Sequence, residues 1–332
     1  MIQLLQIFTN ELCASLLAFG PRQRSALPAL AAELEKTKDG PNAEDLEMEL
    51  GWLLDDAIDS VRGPAGSTMH SRKMQQVLRA DSVTAQDMTV SMRIDLEGLD
   101  CLWQQRTRER VPLQYLTGSA HWRDLVLAVG PGVLIPRPET ELLIDFALEA
   151  LRSQNKLPDG PWADLGSGSG ALAIALARAL PDNAWVYAVE KSADAEKWLR
   201  HNVDRYALQE KVQVARGSWF EPLEHLRSSL AGVLCNPPYI PSADIPLLQE
   251  EVSRHEPVSA LDGGPSTGVR DLLTVCSQAG DMLAQGGFLG LETLGGAQAE
   301  LVAEYLQDSM HFADVKLRND LRGVNRFVTA RR

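Results

Sequence analysis

Cysteine, histidine and positive charge are all scarce in this chain. Four cysteines occur in 332 residues: Cys13, Cys101, Cys235 and Cys276. None form a Cys-x-x-Cys pair and none lie beside a histidine at ligand spacing, so neither a metal site nor a disulfide framework is indicated. Buried thiols in a reducing compartment are expected instead. The six histidines are scattered. Lysine and arginine total 32 against 45 acids, a formal net charge of -13. A duplex-binding protein carries a basic face to neutralise phosphates. No long Lys/Arg run is present, so nucleic acid is not expected as the direct substrate. Long apolar runs are missing too. Gln3, Gln6, Asn10 and Glu11 interrupt residues 1–20, which also lack a basic start. Neither a secretory signal nor a membrane helix is expected. The same segment is too poor in arginine and serine for an obvious transit peptide.

What is present is enough apolar residue, 45%, for a full core, and a length that suits two domains. Residues 1–42 read as a helix and a charged segment, an N-terminal extension with no assigned role. In 43–62, Leu46, Leu50, Leu53, Leu54 and Ile58 follow a helical period, broken by Gly63-Pro64-Ala65-Gly66-Ser67. Helical spacing returns over 71–110, at Met74, Val77, Leu78, Leu96, Leu99, Leu102 and Trp103. Residues 43–110 thus predict a small helical domain for packing or partner recognition. Over 111–136, Tyr115 to Gly118 and His121 to Val129 alternate and predict a linking β-hairpin. Pro138 suits a first helical turn and Glu139 and Glu141 suit its positive end, predicting a helix to about Leu151. From residue 162 strands and helices alternate. Strands are expected at 161–165, 185–190, 211–215, 230–235, 286–292 and 324–330. Helices are expected near 170–180, 193–206, 245–252, 270–284 and 296–308. That is a doubly wound α/β sheet, spanning 137–332 with its leading helix.

The first of these strands runs into Asp164-Leu165-Gly166-Ser167-Gly168-Ser169-Gly170. Alternate glycines let the backbone turn sharply and approach a ligand. The spacing is not the Gly-x-Gly-x-x-Gly of dinucleotide sites, and no lysine follows to grip phosphate. An acid just before the loop repels pyrophosphate and favours a cation such as an ammonium or a sulfonium. The second strand ends in Glu190, where a carboxylate meets ribose hydroxyls. A nucleoside with positive charge and no phosphate fits: S-adenosylmethionine. Trp219, closing the third strand, is placed to lie against its adenine.

The apolar run to Cys235 stops at Asn236-Pro237-Pro238-Tyr239-Ile240, because two prolines cannot continue a central strand. Asn236 is therefore expected at a strand's carboxyl end, bordering both cofactor and substrate. Its side-chain oxygen and the Pro237 carbonyl offer two acceptors to one NH2 group. Tyr239 offers a flat face. A planar group bearing NH2 is an adenine, a cytosine or a carboxamide.

Together these residues resemble the glutamine-N5 methyltransferases that modify peptide-chain release factors. The likeness covers about residues 43–332. It rests on Ile135-Pro136-Arg137-Pro138-Glu139-Thr140-Glu141, the glycine loop, Asn236 to Ile240, Glu256-Pro257, and Leu261-Asp262-Gly263-Gly264. Asp320 to Gly323, Arg326 and Val328 match the family's last hairpin, and His121-Trp122-Arg123-Asp124 is similar to plant-type, organelle-directed members. The resemblance implies a Rossmann-like S-adenosylmethionine-dependent fold with a helical N-terminal domain. Asp164, Gly166, Ser167, Gly168, Ser169, Gly170, Glu190, Trp219 and Asn236 would then hold the cofactor. Asn236, Pro237, Pro238, Tyr239 and Arg137 would meet the substrate, with Asn236, Pro237 and Tyr239 catalytic. The substrate implied is the glutamine of a Gly-Gly-Gln tripeptide in a release factor, in a cytoplasm or in an organelle stroma or matrix. Many members carry an acid where this chain has Ser218. Methylation of a ribosomal-protein glutamine, or of adenine N6 in DNA by a base-flipping relative of the same Asn-Pro-Pro-Tyr logic, are the alternatives.

Overall fold

Apolar residues change period along this chain, and the elements change with them. The computed structural model describes residues 42–62, 68–70, 89–153 and 157–332. The helix expected before residue 42, the break at 63–67 and the spacing of Met74, Val77 and Leu78 lie outside the described residues. Contacts divide the chain into two units, residues 1–117 with Gln249–Glu251, and Gly118–Leu248 with Val252–Arg332.

In the first unit, α1 (Ala43–Ala57) is followed by β1 (Ile58–Arg62), β2 (Thr68–His70), β3 (Thr89–Met92), α2 (Leu96–Arg108) and α3 (Leu113–Thr117). Leu46, Leu50, Leu53 and Leu54 of α1 are buried, as are Leu99 and Trp103 of α2. Asp95 starts α2, accepting from the Gly98 N–H at 2.8 Å. Arg106, 4% exposed, forks onto Glu49 at 2.7 and 2.8 Å and reaches Glu251 at 2.8 Å. The stretch expected to be helical throughout therefore holds a three-stranded antiparallel sheet, ordered β2-β1-β3. Ile58 continues the apolar period of α1, which hides the change. Val61 pairs with Val90 and Arg62 with Thr89 across β1 and β3, and Val61, Thr89 and Val90 are β-branched residues that favour an extended chain.

The second unit begins with the hairpin β4 (Ser119–Trp122) and β5 (Leu125–Ala128), then α4 (Glu141–Arg152). Leu113–Thr117, expected within the hairpin, is helical α3 instead, and the hairpin groups with the sheet that follows. The alternating part runs β6 (Trp162–Leu165), α5 (Ala171–Ala179), β7 (Val186–Glu190), α6 (Ala193–Arg205), β8 (Val212–Arg216) and β9 (Leu230–Cys235). It continues through β10 (Ile240–Pro241), α7 (Glu250–His255), β11 (Asp262–Gly264), α8 (Arg270–Met282), β12 (Leu283–Glu292), α9 (Ala297–Asp308), β13 (Ala313–Asn319) and β14 (Asn325–Arg331). The helix expected over 245–252 is split. Ile245–Leu247 is a 3-10 turn with Pro246 in its first turn, and α7 starts only at Glu250. Strand β13 lies outside the strands read from alternation, since its residues are exposed or half-buried at the sheet's edge and carry no core stripe; with β14 it forms the last hairpin that the resemblance implies.

Seven strands form the sheet in the order β13-β14-β12-β9-β6-β7-β8. All central pairings are parallel, and β14 alone runs antiparallel to both its neighbours. Successive residues face opposite layers, as strand geometry demands. Trp162, Val186, Ala188, Leu234 and Phe327 pack with α4, α5 and α6 on one side. Ala163, Leu165, Val233, Leu289 and Val328 pack with α8 and α9 on the other. The chain winds outward from β6 through β7 to β8, then crosses to β9 on the far side of β6. The carboxyl ends of β6 and β9 thus flank the point where the strand order reverses, the place where such sheets bind ligands. Among the described residues no helix is long and apolar enough to cross a membrane.

Candidate active site

At the end of β6 the chain folds back on β7. The Gly166 and Ser167 N–H groups both donate to the Val189 carbonyl, at 2.9 and 3.0 Å. Gly170 begins α5 with a left-handed φ of 88°, and a Cβ on it would lie 2.7 Å from Leu199 Cδ1. Only glycine lets α5 and α6 approach this closely, so Gly170 serves packing behind the loop. Asp164 is fully buried beneath the loop. Its Oδ2 accepts the Ala173 N–H at 3.0 Å, while its Oδ1 has no partner. Burial first, and then the nearby Glu190 charge, push the Asp164 carboxyl up to about 7 against hydrogen bonds that pull it down. Glu190 Oε2 accepts the Gly168 N–H at 2.9 Å and Oε1 the Ser192 N–H at 2.7 Å. Each carboxylate oxygen has lone pairs left for a ligand.

At the end of β9 the register sets Leu291 of β12 beside Cys235, so Asn236 and Glu292 emerge as neighbours. Asn236 Nδ2 donates to Thr140 Oγ1 at 3.1 Å. Glu292, 1% exposed, accepts from the Tyr239 hydroxyl at 3.1 Å through Oε1, and its Oε2 is buried without a partner. Burial lifts the Glu292 carboxyl to about 7, and burial followed by the Glu292 charge moves the Tyr239 phenol above its ordinary range. Behind Tyr239, a Cβ on Gly263 would fall 2.2 Å from the Gly268 carbonyl oxygen and 2.7 Å from Tyr239 Cα. The Leu261-Asp262-Gly263-Gly264 stretch is therefore a backbone-to-backbone support, with β11 parallel to β10.

These groups surround one cavity of about 760 Å3. Asp164, Gly166, Ser167, Gly168, Ser169, Glu190, Trp219, Asn236 and Pro238 all line it, as does Thr140. Gly170, Pro237, Tyr239 and Arg137 are not on its wall. Arg137, expected to meet a substrate, donates to Glu256 Oε1 at 2.6 Å and to the Ile135 carbonyl at 3.0 Å. Glu256 Oε2 accepts the Ile135 N–H at 3.2 Å. The arginine of the Pro-Arg-Pro-Glu stretch thus fixes its own loop to a buried acid.

Sequence reading missed Thr140, Glu256, Glu292 and Asn202 as parts of the site. Glu292 carried a usable signal. Like Glu190, it is an acid ending an apolar strand run, Leu289-Gly290-Leu291. Among the described residues no cluster of three or more potential metal ligands occurs.

The family model for the methyltransferase small domain matches residues 140–250. The release factor glutamine methyltransferase of Gloeobacter violaceus is 46% identical over 232 residues, 70% of this chain and 78% of that protein. That of a Synechocystis species is 41% identical over 244 residues, 73% of this chain and 80% of that protein. That of Thermosynechococcus vestitus is 39% identical over 267 residues, 78% and 90% of the two chains. With the glycine loop, the acid-ended β7 and the Asn-Pro-Pro-Tyr turn meeting at one switch point, the chain belongs to the release factor glutamine methyltransferase family.

Proposed function

We propose that this chain methylates N5, the side-chain amide nitrogen, of the glutamine in the Gly-Gly-Gln motif of a peptide-chain release factor, using S-adenosylmethionine. One observation carries the reading. Asn236 gives its amide nitrogen to Thr140, which leaves its oxygen for the cavity that Asp164, Glu190 and Trp219 also line. The names of the curated relatives support the substrate.

The residues present fit the methyl donor. Asp164 Oδ1 is a buried acceptor without a partner, suited to a cationic donor group such as an ammonium. The Glu190 carboxylate is suited to ribose hydroxyls, and the Trp219 ring gives an adenine a face to lie on. Gly166 and Gly168 add no side chains to the wall. When bound, S-adenosylmethionine supplies an electrophilic methyl group carried on a positive sulfur.

A carboxamide nitrogen is a poor nucleophile because its lone pair is delocalised into the carbonyl. The Asn236 oxygen and the Pro237 carbonyl accept its two N–H bonds, localise the pair and stabilise the positive charge that grows on nitrogen. Tyr239 packs on the amide plane and Pro238 closes the wall beside it. Holding the nitrogen in line with the methyl carbon supplies much of the remaining acceleration. No base is needed before transfer, because the nitrogen becomes acidic once alkylated. The chain works where release factors work, in a cytoplasm or an organelle stroma or matrix, and the free thiols of Cys235 and Cys276 support a reducing compartment. Neither nucleic acid nor a membrane is a direct partner.

The test offers methyl-labelled cofactor with four acceptors: a release factor, the same factor with that glutamine changed to alanine, a ribosomal protein, and DNA. Label in the unmodified release factor alone supports the reading. Label in DNA, or in the glutamine-less factor, sinks it. Asn236→Ala abolishes transfer and leaves cofactor binding mostly intact.

A further inference from the structure

Gln298 stands in the first turn of α9, where a polar side chain ordinarily reaches water, yet it is buried. Its amide meets three backbone groups. Nε2 donates to the Tyr239 carbonyl at 2.9 Å and to the Thr267 carbonyl at 2.6 Å, and Oε1 accepts the Leu294 N–H at 2.7 Å. The orientation of the amide is forced, since two carbonyls demand N–H groups and one N–H demands an oxygen. A carboxylate has no proton to give the carbonyls, and a lysine or arginine has no oxygen for the N–H. Three segments therefore meet on one side chain: the Asn-Pro-Pro-Tyr turn, the loop before α8 and the chain leaving β12.

The turn needs such an outside hold. Pro237 and Pro238 have no N–H, so neither can tie the backbone between Asn236 and Tyr239 by donating a hydrogen bond. The holds come at Tyr239 and after it. Its carbonyl is bound by Gln298 and its hydroxyl by Glu292 Oε1, at 3.1 Å. A Cβ on Gly268 would lie 2.4 Å from the Tyr239 carbonyl oxygen, so only glycine there leaves that oxygen its place beside Gln298. The Ile240 N–H then donates to the Leu261 carbonyl at 2.9 Å.

We infer that Gln298 is a positioning residue for methyl transfer: it fixes the Tyr239 backbone, and with it the Pro237 carbonyl two residues earlier, where the substrate amide is gripped. The inference rests on the proposed function, in which that carbonyl and the Asn236 oxygen hold the NH2 group. Gln298 is not on the cavity wall and acts through the turn. The cofactor loop hangs on Val189 and Glu190 instead. Loss of Gln298 therefore falls on the substrate half of the site and spares the cofactor half.

The test compares the wild type with Gln298→Glu, which keeps the shape and the acceptor for Leu294 but turns an oxygen onto two carbonyls. Its kcat should fall about 100-fold, as a misplacement of about 1 Å in a site does, with cofactor affinity in calorimetry unchanged. A second readout needs no chemistry. With the demethylated cofactor bound, the wild type should bind the release factor more tightly than the same factor with its glutamine changed to alanine, and Gln298→Glu should bind the two alike. Gln298→Met leaves the carbonyls unpaired rather than repelled, and its kcat should lie between the other two. Wild-type kcat in Gln298→Glu, a retained preference for the intact factor, or an equal loss of cofactor affinity would overturn the inference. So would a lowered unfolding midpoint with kcat and preference intact, the mark of a purely structural residue. Should Gln298→Glu fail to fold, the same measurements on Gln298→Met decide. A wild-type protein that methylates no release factor fails the proposed function instead, a result distinct from any of these.

Discussion

Asn202 holds Ser169 from behind: its Nδ2 donates to the Ser169 carbonyl at 2.9 Å, from a side chain with no exposed surface. The same amide accepts the Ala128 N–H at 2.7 Å and donates to the Ala128 carbonyl at 2.9 Å. One residue of α6 therefore ties the cofactor loop to the end of β5. Asn202→Ala strands several buried backbone groups, at about 1–3 kcal/mol for each left unsatisfied. The expected outcome is a lower unfolding midpoint together with weaker cofactor binding, read by thermal unfolding and titration calorimetry. Asn202→Ala with unchanged cofactor affinity would show that the loop keeps its form without this clamp.

The Asp164 carboxyl makes stability depend on pH. Its value is raised from 3.8 to about 7 on folding, so the folded state holds the proton more tightly than the unfolded state. Stability from this group is complete below the unfolded value and is lost as pH rises toward about 7, at about 1.4 kcal/mol per unit. Carboxylates held low, such as Glu251 and Asp320, are ionised in both states above about pH 5 and add no slope there. Asp164→Asn should remove its share of the decline in urea unfolding measured between about pH 5 and pH 8, leaving the share of Glu292, which is also raised to about 7. It should also lose cofactor, because a cation beside Asp164 favours the ionised acid. For the same reason wild-type affinity for S-adenosylmethionine should rise with pH over that range, with proton release detectable by calorimetry in buffers of different ionisation heat.

Trp219 lines the cavity, its side chain approaching Gly166. Stacking of a base on an aromatic ring is worth about 1–3 kcal/mol. Trp219→Ala should weaken cofactor affinity by about 10- to 100-fold with kcat at saturation little changed, and Trp219→Phe should recover most of the loss. A fall in kcat without a change in affinity would place the ring at the substrate instead.

The legible parts of the chain were those whose rule is local. Gly166 to Gly170, the acid at Glu190 and the two prolines after Asn236 each announce a strand end within a few residues, and the alternation from residue 162 onward placed the sheet around them. Asn202 was illegible because it reads as one more polar residue on a helix. Its burial is decided by Ala128, 74 residues earlier. Thr140 meets Asn236 across 96 residues, a pairing that no spacing announces. Strand β1 was hidden by Ile58, which satisfies the helical period of α1 and the alternation of a strand alike. Edge strand β13 lacks the buried stripe by which strands are recognised.

Arg137 offers the sharpest contrast between a sequence expectation and its surroundings. As a substrate contact it would be free to reach outward; here it forks onto Glu256 and the Ile135 carbonyl. The Glu256 side chain is 2% exposed against 30% for Arg137. Burial raises the Glu256 carboxyl, and the Arg137 charge and hydrogen bond pull it back down. Removing one partner of a buried pair leaves a stranded charge and costs about 3–5 kcal/mol, a figure to be discounted here because Arg137 is partly in water. Arg137→Met should therefore destabilise the protein, increasingly as pH rises and the folded site must hold Glu256 without its cation. Adding Glu256→Gln should recover much of that loss, since the neutral amide tolerates the site without the cation. The check is a double-mutant cycle in urea, run beside the KM for release factor. Full stability in Arg137→Met with a raised KM would return Arg137 to the substrate.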